Sequence, residues 1–128
     1  MRYMLLIHVP QKFDGLATWS QDDFKAMIEY MRELDRSLRA SGELLDSNGL
    51  AGPGAAKTIR AGADGSAGVS DGLRNESSDA LIGYWVVDVA SPERAIEIAT
   101  RVSATPGPGG APVNQPVELH PIGEAPEV

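Results

Sequence analysis

The 128-residue chain predicts an α+β domain, an antiparallel sheet with two helices on one of its faces. Three observations point to this class. Two runs, Arg2 to Val9 and Leu81 to Val89, are apolar or aromatic almost throughout, the pattern of strands covered on both faces. Phe24, Met27, Ile28, Met31, Leu34 and Leu38 recur at three- and four-residue spacing, which is one apolar stripe of a helix. A second helix start and a short last strand follow, so the order is strand, helix, turn-rich hairpin region, strand, helix, strand.

Each element has a local justification. Pro10 stops the first strand, and Asp14-Gly15 marks a turn in the loop beyond it. Ser20 is placed to cap the first helix, with Asp23 at the third helical position as in a capping box that has Asp for Glu. Trp19 and Phe24 stand at the two positions of a hydrophobic staple. Gly42 supplies the left-handed stop, so the helix spans about Gln21 to Ser41. Asn48-Gly49, Asp64-Gly65 and Asp71-Gly72 read as turns between short strands at Leu44–Leu45, Lys57–Arg60 and Ala67–Ser70. After the strand Leu81 to Val89, Ser91-Pro92-Glu93 is a cap, a first-turn proline and an early acid. The second helix then runs to about Val102 and turns Ala95, Ile98, Ala99 and Val102 inward. Residues 103–116 form a loop with four Pro and three Gly, and Val117 to Ile122 is the last strand. One domain over residues 1–123 and a short frayed tail over 124–128 are expected.

This is the βαββαβ order of a ferredoxin-like fold with an extra hairpin. Helices in that fold cover only one face of the sheet, yet the first and third main strands are apolar on both sides. A second copy of the same sheet is the simplest cover for the other face, so a homodimer packed sheet to sheet is expected.

Composition narrows the chemistry. No cysteine is present, which removes disulfides, thiolate nucleophiles, iron–sulfur clusters and cysteine-bound zinc. Eighteen acidic residues against 11 basic ones give a net charge of -7, which argues against partners such as nucleic acid or an anionic membrane surface. The longest apolar run, Ala80 to Val87, is too short to span a bilayer, and the first residues lack the long apolar core of a secretory signal. A cytoplasmic protein that works without a cofactor is expected. Ala51-Gly52-Pro53-Gly54-Ala55-Ala56-Lys57-Thr58 ends like a phosphate loop, but Ala51 and Ala56 occupy both required glycine positions.

Several segments resemble the YCII-related family, and within it the branch named for an Asp-Gly-Pro-Phe (DGPF) motif. These are the opening Met-Arg-Tyr-Met-Leu-Leu-Ile, the junction Arg39-Ala40-Ser41-Gly42-Glu43-Leu44-Leu45 and the final Val117-Glu118-Leu119 with Pro121 and Ile122. Between them Asp71-Gly72, Glu76, Leu81, Gly83-Tyr84-Trp85 and Asp88-Val89 match the signature block. The resemblance implies a dimeric α+β barrel. Leu73 and Arg74 stand where the motif has Pro and Phe, His120 stands where arginine is common, and His8 stands where tyrosine is frequent. The first helix has no histidine, so the His–Asp pair suggested for some relatives does not carry over. The resemblance also implies an association with alternative sigma factors of the extracytoplasmic-function type.

Candidate chemistry rests on few side chains. Asp71 is either a general base at the mouth of a cleft or the acid of a plain turn, and Arg74 is placed to bind an anionic substrate or to pair with Asp71. The first and last strands are neighbours in the predicted sheet, which brings the strands of His8 and His120 together. Glu118 and His120 alternate with Val117 and Leu119, so acid and imidazole share a face and form a candidate proton-transfer unit. Two histidines and an acid are a known metal set, but no compact ligand spacing is present and no metal is expected. Tyr84 and Trp85 face opposite sides of the sheet, one toward the helices and one toward a pocket or the dimer face. Two functions follow as expectations: a cofactor-independent isomerase or decarboxylase that uses Asp71 and His120 on a small organic ligand, or a non-catalytic ligand-sensing accessory protein.

Overall fold

Alternation along the strands decides what the sheet buries. In a computed structural model of the chain, residues 1–11, 18–74 and 79–126 are described. The predicted Asp14-Gly15 turn, Glu76 and the last two residues of the tail lie outside them. The elements are β1 (Arg2–Pro10), α1 (Gln21–Ala40), β2 (Leu44–Gly49), β3 (Lys57–Ala61), β4 (Ala67–Asp71), β5 (Asp79–Asp88), α2 (Pro92–Ser103) and β6 (Val117–Pro121). One four-stranded sheet has the order β2-β5-β1-β6, and β3 and β4 form a separate two-stranded sheet. Every pairing is antiparallel, and β1 lies between β5 and β6. The molecule is therefore a mixed α+β fold, with the first and last strands adjacent as expected.

The core lies between one face of the larger sheet and the two helices. Tyr3 and Leu5 of β1 and Trp85 and Val87 of β5 are buried there against Leu34 and Leu38 of α1. Ala95, Ile98 and Val102 of α2 complete it, with Val117 and Leu119 of β6 packed against its edge. By alternation Met4, Leu6, Tyr84 and Val86 point to the other face, where Met4 pairs across with Val86 and Leu6 with Tyr84. All four are only partly buried.

The helix signals act as their chemistry dictates. The Ser20 hydroxyl accepts from the Asp23 N–H at 3.1 Å, and the Ser91 hydroxyl accepts from the Arg94 N–H at 3.2 Å. Gly42 takes φ +79°, a backbone conformation that favours glycine. This lets the Glu43 N–H return to the Leu38 carbonyl at 2.9 Å and close α1. The expected stripe of α1 is buried only at its C-terminal end, and Phe24 is 43% exposed. Met27 and Met31 instead line a cavity.

Two of the expected turns come out differently. Asn48-Gly49 continues β2, because Asn48 pairs with Tyr84 and Gly49 with Gly83. Asp71 is the last residue of β4, and Gly72 beyond it has φ +85°. Asp64-Gly65 is a true turn: the Gly62 N–H bonds to the Ser66 carbonyl at 2.7 Å, and Asp64 Oδ1 accepts from the Ser66 N–H at 3.0 Å.

One ion pair fastens the α1–β2 junction to α2. Arg94 donates twice to Glu43, from Nε at 2.9 Å and from Nη2 at 2.9 Å. The Arg94 guanidinium and the Ser41 hydroxyl hold the Glu43 carboxyl down from 4.5 to about 2. A carboxyl lowered on folding stabilises above its unfolded value and loses that contribution as pH falls toward the folded value. Glu43→Gln is therefore expected to cost about 1–2 kcal/mol at pH 7, a modest figure because both side chains keep some contact with solvent. Urea unfolding of both proteins from pH 7 to pH 3 checks this. The gap between them should narrow steadily below about pH 4.5, and a gap independent of pH would contradict the pairing.

Candidate functional site

An acid within an apolar helical stripe has to be satisfied by the surface it faces. Asp35 is such an acid: it follows Met31 by four residues and precedes Leu38 by three, so it shares their face of α1. Across from it, Trp85 is on the core side of β5 and is 4% exposed. The Trp85 indole donates to Asp35 Oδ1 at 3.0 Å, and the Ser47 hydroxyl of β2 donates to Asp35 Oδ2 at 2.8 Å. Two neutral donors from separate strands thus fix the carboxylate.

This constellation lies on a cleft of about 630 Å³ between α1 and the sheet. Arg32, Asp35, Ser47 and Asn48 supply its polar wall, and Met31 and Trp85 part of its apolar one. A smaller, almost wholly apolar pit of about 120 Å³ adjoins it and shares Ile7, Met31 and Ile82. Trp19, Met27 and Val113 also line the pit, the last of these from the Gly/Pro-rich loop. The β1–β5 register steps from Ile7↔Gly83 to His8↔Leu81, which leaves Ile82 as an extra residue. Such a bulge re-aims its side chain, and here Ile82 lines both spaces.

The predicted residues fall into separate places. Glu118 lies between the two histidines, with Oε1 3.3 Å from His8 Nδ1 and 3.7 Å from His120 Nε2. The shared face follows from the register, in which Met4 opposes His120 and Leu6 opposes Glu118. His8 and Glu118 line a second cavity of about 410 Å³ with Asp79, Gln115 and Pro116. Asp71 belongs to the hairpin sheet, is 87% exposed, and accepts from Lys57 Nζ at 2.6 Å. It lines none of these three cavities, and neither does the exposed Arg74. Tyr84 faces away from Trp85 as expected; its hydroxyl donates to Asp46 Oδ2 at 2.8 Å and accepts from Asn48 Nδ2 at 2.9 Å. Among the described residues no group of three or more His, Cys, Asp or Glu is placed to hold a metal ion. No helix among them is long and apolar enough to cross a membrane.

Asp35, Ser47 and Arg32 were not among the predicted site residues. The available signal was positional, since an aspartate at the i+4 place of an apolar stripe is out of register with a solvated face. What makes Asp35 a site residue is its contact with Trp85, 50 positions along the chain.

Comparison with known proteins now adds a relationship. Residues 1–107 match the family described as YCII-related domain. An uncharacterized protein of Rhizobium meliloti (strain 1021) is 30% identical over 111 residues, which cover 86% of this chain and 88% of that protein.

Proposed function

The chain belongs to the YCII-related domain family, and on that footing we propose that it is a homodimeric small-molecule-binding protein whose ligand lies over Asp35 in the α1 cleft. Asp35 accepts a proton from the ligand there and returns it, without a resident metal or organic cofactor. The observation that carries this reading is the carboxylate held by Trp85 Nε1 at 3.0 Å and Ser47 Oγ at 2.8 Å inside a cleft of about 630 Å³. That volume is in the range of small-molecule sites, roughly 300–1,000 Å³. A proton acceptor needs a fixed direction and room for substrate beside it. The His8–Glu118–His120 cluster opens instead on the face without helices.

The dimer rests on that same face. Met4, Leu6, Leu81 and Val86 form an apolar centre there, with Asp46, Asn48 and Tyr84 toward β2 and His8, Glu118 and His120 toward β6. The sheet order β2-β5-β1-β6 supports a ferredoxin-like unit, and two such sheets packed face to face would close an α+β barrel. Asp71-Gly72 supports a place close to the DGPF branch.

A thermal-shift screen of small organic molecules followed by turnover assays on the hits tests the function. Asp35→Asn is expected to keep binding within a few-fold and to lower turnover by about 100-fold or more. Binding without any turnover would leave the second reading, a non-catalytic ligand-sensing accessory protein. Hits that ignore Asp35→Asn in both respects would contradict the assignment of this cleft.

A further inference from the structure

Charge and shape at the α1 cleft point further, to the class of molecule that fits it; this step rests on the cleft being the ligand site. Among the described residues, Arg32 is the one cationic side chain on the walls of the cleft and the pit. Its neighbours along α1 are engaged, Lys25 with Glu29 and Arg36 with Glu33. Among the described residues Arg32 has no carboxylate within ion-pair distance. Asp35, one turn further on, already accepts from Trp85 and Ser47 and makes no ion pair with Arg32. The chain as a whole is acidic, with a net charge of -7, so an anion is drawn to this cleft by Arg32 and not by the general field. A guanidinium meets a planar carboxylate with two parallel hydrogen bonds. A cationic head aimed at Asp35 would have to settle beside Arg32 and be repelled by it.

The other end is apolar. Trp19, Met27, Met31, Ile82 and Val113 line the pit that adjoins this polar wall. Aromatic and thioether side chains offer flat, adaptable surface to a ring or an alkyl chain.

We propose that the cleft takes an amphipathic carboxylate, an aryl or alkyl acid whose anionic head pairs with Arg32 and whose apolar body enters the pit lined by Trp19, Met27 and Met31. Arg32 and Asp35 stand three residues apart on one helix, so neighbouring turns present both groups along the same wall. A head held by Arg32 brings the adjoining carbons of the ligand toward Asp35, where proton transfer is proposed.

The chain supplies its own probe, because its two tryptophans, Trp19 and Trp85, line the pit and the cleft respectively. Phenylbutyrate, phenylbutyramide and phenylbutylamine are titrated against intrinsic fluorescence in the wild type, Arg32→Gln and Arg39→Gln. The carboxylate is expected to saturate about tenfold below the amide, with the amine weakest. Arg32→Gln should bring acid and amide within about twofold, whereas Arg39→Gln, an exposed change later on the same helix, should preserve the preference. Equal binding of acid and amide, or a preference that survives Arg32→Gln, overturns the carboxylate class and leaves the cleft as a ligand site. Absence of saturable change with all three probes overturns the class as well. If the wider ligand screen is also silent, the cleft itself falls as the site.

Discussion

Leu6→Asp is expected to turn the proposed dimer, of twice the 13.5 kDa chain mass, into a monomer by light scattering at micromolar concentration. Leu6 lies on β1 in the middle of the sheet, between Tyr84 of β5 and Glu118 of β6, on the face that carries no helix. Around it Met4, Leu81 and Val86 are only partly buried by their own chain. In a sheet-to-sheet dimer each protomer's Leu6 is enclosed. An aspartate there brings an unpaired charge into a dry contact next to Glu118, and two-fold symmetry does so twice. The expected weakening is about a thousandfold or more, on the order of 4 kcal/mol. Ile96→Asp serves as control. Ile96 is 57% exposed on α2, across the core from that face, so its replacement should leave the dimer intact. A wild-type protein that runs as a monomer, or a Leu6→Asp protein that remains a dimer, would contradict the proposed assembly.

Trp85→Ala is expected to cost about 3–5 kcal/mol and to abolish ligand binding in the cleft. Two contributions meet in this side chain. Its ring is almost wholly buried among Leu5, Leu34 and Leu38, so truncation leaves a cavity that the sheet closes only in part. Its indole N–H holds Asp35, so truncation also removes one of the two donors that direct the carboxylate. Trp85→Phe separates them, since it keeps most of the volume and loses the N–H. That change is expected to cost about 1–2 kcal/mol. If the bond is as described, combining Trp85→Phe with Asp35→Asn should cost less than the sum of the single changes. Urea unfolding of the four proteins measures the coupling, and strict additivity would remove Trp85 as the positioning group for Asp35.

Much of this fold was legible in the sequence because its signals are local. Ser20 and Ser91 cap the helices they precede, and Gly42 ends α1 where expected. The long apolar runs became β1 and β5. Alternation alone placed Glu118 and His120 together and sent Tyr84 and Trp85 to opposite faces. The extent of β2 was not legible. Asn48-Gly49 has the composition of a turn, and its pairing with Tyr84 and Gly83 of β5, together with the side-chain bond from Asn48 to Tyr84, shows why it stays extended. The candidate site was legible least. Asp71-Gly72 drew attention as a motif, yet Asp71 engages Lys57 on the hairpin. Asp35 carried no motif, and its partners Ser47 and Trp85 lie 12 and 50 positions away. Local spacing reports which face a residue occupies; it does not report which donors fold back to meet it.

The most direct test of the α1 cleft is the indole region of a nitrogen-15 correlation spectrum, recorded while a ligand from the screen is added. The chain's two tryptophans give two indole signals, and both side chains line the proposed site. A ligand over Asp35 is expected to move the Trp85 and Trp19 indole signals in parallel with saturation, while the imidazole signals of His8 and His120 remain in place. Movement of His8 and His120 with both indole signals unchanged would contradict the account and transfer the site to the face without helices.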